Sequence, residues 1–559
     1  MKQDLLVFDI DHIIENNTGI IRLFCKDSKG KPVIKKDKSF KPYFYVEPKN
    51  LTKYKKKLQK HKFKQGKILK VETVEKQFFG EKKKLLKITL ESPRDVYDIR
   101  NIIKTWPENK EEYEYAISFY QRYLIDKQIK PMSGKAKIKI LAFDIETIEQ
   151  NNKEEIIMIS FATNTDFKKV ITTWKGKAEY TEVVDNEKTL LEKFIQIINE
   201  QDPDFIVTFN GDGFDFPKLK EAAEKHKVDI KIGRDNSSIR LVRRGRTSST
   251  KIRGRPHIDL YTFIDHILST SMKTEVLTLD AVAEELLGLK KRDLRWQDIK
   301  ESFGSKDGLE ELSDYCLWDS ELTLKLAEQL LPQVFELSQL TGTIPFDTGR
   351  YMYSQLDEAY LMRQAFQQNV MIPNNPKYDE IAKRRMKPKY AGGLVIEPKK
   401  GIHSNILVFD FRSLYPTIIV SHNISPDTID CGHKECRKNT PPEIKHHFCT
   451  KNKGFIPRNL AEIIKERTEI KNKMKKLKKD SLEFKSLDNQ QYALKIIANS
   501  IYGYFAYFGS KWYCYDCAAA AAAWGRFYIK KIIEWAEKEG FEIIYSDTDS
   551  CFVKVKGEN

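Results

Sequence analysis

Three apolar runs in this sequence lead into aspartate, and that pattern constrains the fold more than any other feature. Ile138–Phe143 runs into Asp144-Ile-Glu146, Ile406–Phe409 into Asp410, and Ile543–Ser546 into Asp547-Thr-Asp549. Short apolar runs of this kind read as strands. Side chains alternate along a strand, so Asp144 and Glu146 share a face. Neighbouring carboxylates repel one another unless a cation lies between them. The alternative for Asp144 and Glu146, taken alone, is a solvated strand end.

At 559 residues the chain exceeds what one core supports, so several domains are expected. The first 130 residues read as β-rich, with strands at Asp4–Asp11 and Pro42–Val46. A second unit starts near Gly134, with strands at Ile138–Phe143, Ile156–Phe161, Val170–Trp174 and Phe205–Phe209. A long amphipathic helix over 309–337 closes it. A third unit opens near Tyr390-Ala-Gly-Gly393 and carries helical patterns at 459–480 and 484–500. The six alanines Ala518–Ala523 read as a helix start, and Ile543–Val555 as a hairpin. The fold class is therefore multidomain, α/β with α+β.

A net charge of +17, from 97 basic and 80 acidic side chains, favours a polyanionic partner. The richness in Lys and Glu fits the ion-pair networks of a heat-adapted protein. No apolar run of about 18 residues is present, so no membrane span is expected, and no secretory signal is read at Met-Lys-Gln-Asp-Leu. The location expected is cytoplasmic and nucleoid-associated.

Two further segments add to Asp144 and Glu146. Phe209-Asn-Gly-Asp-Gly-Phe-Asp215 follows a buried-type strand, and its glycines allow a tight turn that presents Asp215. Tyr315-Cys-Leu-Trp-Asp319 lies on a helix, where a spacing of four puts Tyr315 and Asp319 on one face. Four carboxylates and a phenol suit two-metal hydrolysis of a phosphodiester, with Tyr315 orienting the attacking water. In this order the three segments resemble the exonuclease motifs of proofreading DNA polymerases.

The resemblance extends along essentially the whole chain. Phe409-Asp-Phe-Arg-Ser-Leu-Tyr-Pro-Thr417, Lys495-Ile-Ile-Ala-Asn-Ser-Ile-Tyr-Gly503 and Tyr545-Ser-Asp-Thr-Asp549 resemble the three polymerase motifs of family B DNA polymerases. Tyr390-Ala-Gly-Gly393 resembles the motif that links the two activities. Arg122-Tyr-Leu-Ile-Asp126 and Trp512-Tyr-Cys514 point to the archaeal branch. The resemblance implies a β-rich N-terminal domain (1–134), an RNase H-like exonuclease domain (135–335) and a segment returning to the N-terminal domain (336–375). It further implies a palm with an antiparallel sheet (376–454 and 500–559) and helical-hairpin fingers (455–499).

It also implies site residues. Asp410 and Asp549 would hold two Mg²⁺ ions, with Mn²⁺ as an alternative, on the primer 3′-hydroxyl and the nucleotide phosphates, with Asp547 as a supporting carboxylate. Asp144, Glu146, Asp215 and Asp319 would do the same in the exonuclease. Arg467, Lys471, Lys495 and Asn499 would hold the triphosphate. Tyr415 would exclude a ribose 2′-hydroxyl, and Tyr502 would form part of the floor beneath the nascent pair. Tyr390, Gly392 and Gly393 would contact DNA. His12, Pro42, Tyr43, Phe44 and Val96 match a uracil-sensing pocket, degenerate here. His12 stands where the family usually has tyrosine, and Phe44 is bulky, so weak stalling at template uracil is expected.

Two basic stretches remain. Lys53–Lys70 reads equally as a solvated face or a DNA contact, whereas Arg240–Arg255 reads as a flexible loop able to meet phosphates. Of the eight cysteines, the Cys431–Cys449 group lacks a clear four-ligand zinc spacing, and a disulfide is considered for Cys514 and Cys517. Disulfides or plain thiols are the favoured reading over zinc.

The partners expected are primer–template DNA and deoxynucleoside triphosphates. The relatives continue with a thumb that grips duplex DNA, so the chain resembles the large N-terminal part of a split polymerase. Its partner would then be a C-terminal polypeptide, through which a sliding clamp could also be reached. The competing readings are a stand-alone 3′–5′ exonuclease and a DNA-binding fragment.

Overall fold

The structure, a computed structural model, describes residues 5–150, 153–244, 247–289 and 306–555. It divides into two compact units. One comprises Met1–Ile13, Ile20–Phe40 and Ile129–Met352, the other Ile14–Gly19, Lys41–Gln128 and Tyr353–Asn559. The expected N-terminal domain of 1–134 is thus divided. The cause lies in the polar contacts of its first strands. Lys26 pairs with Asp204 at 2.5 Å and Arg22 with Asp235 at 2.9 Å, while Asp9 accepts the Gly254 N–H at 2.8 Å.

Most of a three-stranded sheet, β1 (Leu6–Glu15), β2 (Thr18–Lys26) and β3 (Pro32–Asp37), belongs to the first unit. Its main sheet has six strands: β8 (Ile140–Gln150), β9 (Lys153–Thr163), β10 (Lys168–Thr172), β11 (Thr181–Val183), β12 (Phe205–Thr208) and β15 (His257–Asp259). Their order is β11-β10-β9-β8-β12-β15. β9 runs antiparallel to β8 and β10, whereas β8, β12 and β15 run parallel. Alternation decides what each face carries. Leu141, Phe143 and Ile145 of β8 enter a core with the helices Glu187–Gln201 and Asp215–His226. Asp144 and Glu146 therefore project from the other face, which packs on the helix Lys306–Thr341 through Leu309, Leu312, Cys316 and Leu317.

Where a flexible loop was expected at Arg240–Arg255, the described residues include two paired strands, β13 (Arg240–Arg244) and β14 (Thr247–Lys251). Arg255 is buried and pairs with Asp202 at 2.8 Å, and Arg253 reaches Asp11 and Asp235 at 3.6 Å. These two guanidiniums are held by carboxylates within the unit; Arg246 lies outside the described residues.

In the second unit, β4 (Tyr43–Pro48), β5 (Ile68–Phe78), β6 (Glu81–Leu90) and β7 (Asn109–Tyr113) form an antiparallel sheet in the order β5-β6-β4-β7. The helix Leu51–Lys60 buries Tyr54 and Leu58 on it and lays Lys57 over Trp106. Much later in the chain, the Met371 N–H donates to the Gln77 carbonyl at 2.7 Å, so residues near 370 add to this sheet.

A second antiparallel sheet contains β16 (Val395–Ile396), β17 (Ile406–Asp410), β18 (Glu542–Asp547) and β19 (Ser550–Lys554), ordered β16-β18-β19-β17. The helix Tyr515–Lys538 packs on it through Ile529, Ile533 and Ala536. The six alanines Ala518–Ala523 of that helix are all buried. The helices Phe455–Met474 and Leu482–Ala506 form an antiparallel hairpin, with Ser481 capping the second by accepting the Phe484 N–H. No described helix is long and apolar enough to cross a membrane.

Candidate active sites

In the first unit, register brings the expected acids together. Asp144 on β8 lies opposite Ser160 on β9. The Ser160 hydroxyl donates to the Cys316 carbonyl at 2.6 Å and bonds the Ser320 hydroxyl at 2.7 Å. Those bonds fasten the long helix Lys306–Thr341 over the acidic face. Asp144, Glu146 and the Cys316 thiol consequently present donor atoms within 4.8 Å of one another. Tyr315 and Asp319 lie on the same helix, Tyr315 partly exposed and Asp319 buried. The acids raise the buried Cys316 thiol well above its ordinary range, burial being the first cause.

Asp215 opens the helix Asp215–His226 and is buried. Burial, followed by the charges of Asp259 and Glu146, pushes its pKa up to about 8. Burial and the neighbouring acids thus both disfavour the charged form of Asp215. The turn before it is fixed by residues the sequence reading did not single out. Asp259 accepts the N–H groups of Asn210 and Asp212 at 2.9 and 3.1 Å. Asp212 pairs with Arg350 at 2.6 Å and His257 at 3.3 Å and accepts the Thr250 N–H at 2.7 Å. Despite burial, these partners hold Asp212 well below the usual carboxylate range. A side chain at Gly211 would strike Thr208, so the turn requires glycine there.

The second unit carries a different acidic pair. Asp410 ends β17 opposite Ser550, and the Phe411 N–H donates to the Asp549 carbonyl at 2.8 Å. Burial first, then the Asp410 charge, raises the Asp549 carboxyl. The two carboxylates, on the paired strand β17 and at the turn leading into β19, therefore lie near each other. Between the aspartates of the turn, Thr548 takes a left-handed φ of 54°. Asp547 is exposed and accepts the Thr548 hydroxyl at 2.9 Å and the Tyr545 hydroxyl at 3.3 Å.

Tyr390-Ala-Gly-Gly393 lies against that turn. The Thr548 N–H donates to the Leu394 carbonyl at 2.8 Å, and a side chain at Gly393 would meet Thr548. Arg526 donates to the Gly392 carbonyl at 2.7 Å. Tyr390 packs edge-on to Tyr515. Tyr502 stacks on Tyr415 with ring centroids 4.0 Å apart and planes 9° apart. Tyr415 in turn rests over Gly525, where an added Cβ would stand 3.3 Å from its ring.

The basic residues converge on the helical hairpin. Burial and then the charges of Arg467, Arg412, Lys475 and Lys495 lower the pKa of Lys471. Arg467 donates to Gln491 at 3.2 Å, tying one helix to the other. Lys495 and Asn499 are both exposed, four residues apart on the second helix. Arg412 belongs with them and was overlooked, although it sits inside Phe409–Thr417. It donates to Thr468 at 3.0 Å and lines a cavity of 130 Å³ with Arg467.

Two other expectations need correction. Pro42, Tyr43 and Val96 line a cavity of 440 Å³ with Pro93, Arg100, Phe119 and Arg122. Phe44 does not: it is fully buried with Val46, Tyr54 and Leu58, on the opposite face of β4 from Tyr43. It cannot fill that cavity, because neighbours along a strand point to opposite sides. His12 belongs to the other unit. The Cys514–Cys517 pair is not a disulfide but two free thiols, with the Cys514 sulfur accepting the Cys517 N–H at 3.3 Å as the cap of the helix Tyr515–Lys538.

Comparison with known proteins matches residues 350–559 to DNA polymerase family B and residues 131–282 to the family B exonuclease domain. A DNA polymerase of Pyrococcus glycovorans is 40% identical over 99% of this chain and 71% of its own length. DNA polymerase 1 of Pyrococcus abyssi is 38% identical over the same shares. The solved family B DNA polymerase of Pyrobaculum calidifontis is 28% identical, with a TM-score of 0.84, over 99% of this chain and 75% of that one.

Proposed function

Because the chain belongs to DNA polymerase family B, with that family's exonuclease domain, it is a DNA-directed DNA polymerase with 3′–5′ exonuclease activity, and we propose how its residues divide the work. Enzymes of this family use divalent metals; for this chain the ion proposed is Mg²⁺. The donors fit a hard cation, being carboxylate oxygens; burial first, then neighbouring acids, raises Asp215 and Asp549. Asp410 and Asp549 would hold it in the polymerase site, with Asp547 in support. Asp144, Glu146, Asp215 and Asp319 would hold it in the exonuclease site. When bound, the ion supplies charge that stabilises the phosphoryl oxygens in the transition state.

For synthesis, Arg412, Arg467, Lys471, Lys495 and Asn499 bind the triphosphate and set its α-phosphorus in line with the primer 3′-oxygen. The new P–O bond forms as pyrophosphate leaves. Tyr415 lies under the sugar and excludes a 2′-hydroxyl; its stack on Tyr502 and its seat over Gly525 keep the ring in place. Tyr390, Gly392 and Gly393 contact DNA beside the catalytic turn. For proofreading, Tyr315 orients a water toward the terminal phosphodiester.

The observation that carries the synthetic reading is that Asp549 lies close enough to both Asp410 and Tyr415 for their charges to interact, with Tyr415 stacked on Tyr502. A labelled primer–template with Mg²⁺, deoxynucleotides and the C-terminal part of a family relative supplied tests it: lengthening supports the reading, and shortening alone refutes it.

A finer proposal concerns a C-terminal partner polypeptide. On β17, the outermost strand, Leu407, Val408 and Phe409 are 50%, 57% and 55% exposed. Three consecutive apolar residues open on both faces of a sheet edge call for a covering partner. We assign that role to a separate polypeptide equivalent to the part of the relatives outside the match. Extension that rises when this polypeptide is added supports the proposal; equal extension without it refutes it. A weak response to template uracil now rests on His12 alone, and a stop a few bases before uracil would refute it.

A further inference from the structure

Between the helices Leu414–Ser421 and Phe455–Met474 the chain makes a knot that neither active site uses. Here Cys431-Gly-His433-Lys-Glu-Cys436 is followed, after twelve residues, by Cys449. The fold brings all four side chains to one point. One donor atom from each of Cys431, His433, Cys436 and Cys449 lies within 4.8 Å of the other three. We propose that these four residues bind a structural Zn²⁺ ion.

Three sulfurs and one imidazole nitrogen form a donor set that suits zinc, which takes four such ligands tetrahedrally. With Zn–S near 2.3 Å, tetrahedral sulfurs lie about 3.8 Å apart. His433 Nδ1 is already 3.5 Å from the Cys449 sulfur. The two buried sulfurs are prepared to carry negative charge. The Cys436 sulfur accepts the Thr450 N–H at 3.2 Å, and the Cys449 sulfur accepts the Asn452 N–H at 3.3 Å. The scaffold is ordered around them: Ile429 bridges Phe448 in antiparallel fashion, and the Cys449 N–H donates to the Thr428 carbonyl at 2.9 Å. Two further histidines are nearby but otherwise engaged. His446 pairs with Asp430 at 2.6 Å, and His447 Nε2 bonds the Cys431 carbonyl at 3.0 Å.

The site has a mechanical consequence. The same knot fixes the start of the helix Phe455–Met474, which carries Arg467 and Lys471. The Gly454 N–H donates to Asn423 at 2.8 Å and the Phe455 N–H to Asp427 at 2.9 Å. Zinc at Cys431–Cys449 would therefore stiffen the root of the triphosphate-binding helix without touching the substrate. The sequence reading found no clear four-ligand zinc spacing in this group because it counted Cys431, Cys436 and Cys449 and left His433 out.

Metal analysis of the full chain, purified without chelator, tests the proposal. The expected result is one zinc per chain, released by a thiol-blocking mercurial. Cobalt substitution should give the visible spectrum of a tetrahedral thiolate site. Cys436→Ser and Cys449→Ser should lose the zinc, while Cys514→Ser, outside the cluster, should keep it. His433→Ala should surrender zinc to a chelator at least ~10-fold faster than the parent chain. A zinc-free chain after anaerobic reconstitution would overturn the proposal, as would a thiol count showing a disulfide within the cluster. Unchanged zinc retention in His433→Ala would overturn the four-ligand assignment. The parent chain's zinc content and cobalt spectrum do not depend on any variant folding.

Discussion

The two acidic centres are built in opposite ways. In the first unit Asp144 and Glu146 sit on a central strand, under the helix that carries Asp319, and Asp215 and Asp319 are buried. In the second, Asp410 and Asp547 are exposed at the end of an outer strand and at a hairpin bend, and only Asp549 is partly covered. A buried centre is held by its own protein scaffold, so damage to that scaffold should reach its activity. An exposed centre leaves its positioning to the groups around it: the hairpin turn, the tyrosine stack and the basic helices. The contrast suits the tasks: one removes a nucleotide from a strand end, the other accepts four different base pairs.

The largest effects should come from the carboxylates themselves. Asp215→Asn should cut degradation by ~10³-fold while extension persists, since losing a metal ligand costs several kcal/mol of transition-state stabilisation. The same change should raise the melting temperature of metal-free protein, because it removes a buried carboxylate crowded by Glu146 and Asp259. Calorimetry and a degradation assay read the two opposite signs. A drop in melting temperature would break the contrast.

Next comes the scaffold of the buried centre. Asp212→Ala leaves Arg350 without its buried partner and should cost roughly 3–5 kcal/mol. Degradation should fall with it, and extension should fall less. The pH dependence has a definite sign. Asp212 titrates below its unfolded value of about 3.9, so its stabilising contribution is full above that pH and is lost as pH falls further. Acid unfolding of Asp212→Asn should accordingly be less steep in this range than that of the parent chain.

A smaller effect belongs to the exposed centre. Tyr415→Val should raise ribonucleotide incorporation by roughly 10–100-fold, the scale of 1–3 kcal/mol for a lost steric contact. Gly525→Ala should move the same ratio in the same direction by about threefold or less, because its Cβ would meet the ring edge at 3.3 Å. Competition between deoxynucleotides and ribonucleotides measures both. The smallest effect expected is from Ser160→Ala, which removes a hydrogen bond worth about 1 kcal/mol under the buried centre.

Local chemistry explains what could be read from the sequence. Strand parity put Asp144 and Glu146 on one face, and the same parity separates Tyr43 from Phe44. The uracil expectation failed to use it, and the cavity beside Tyr43 is the result. The Tyr415–Tyr502 stack and the Asp410–Asp549 pair join segments 87 and 139 residues apart, which motif resemblance anticipates but periodicity does not. Asp212 was legible only as part of a turn, since Arg350 and His257 meet it through the fold. Arg412 was hidden in a motif already read for Asp410 and Tyr415. The division of the first 134 residues between two units was out of reach as well, because Arg22 and Lys26 find their partners some two hundred positions downstream.

The claim that two separate metal centres serve two activities is tested most directly by one pair of variants on one labelled primer–template. Asp144→Ala is predicted to abolish shortening and keep lengthening, and Asp549→Ala to do the reverse, each assayed with the C-terminal polypeptide supplied. Loss of both activities in either variant, or shortening that survives Asp144→Ala, would contradict the account.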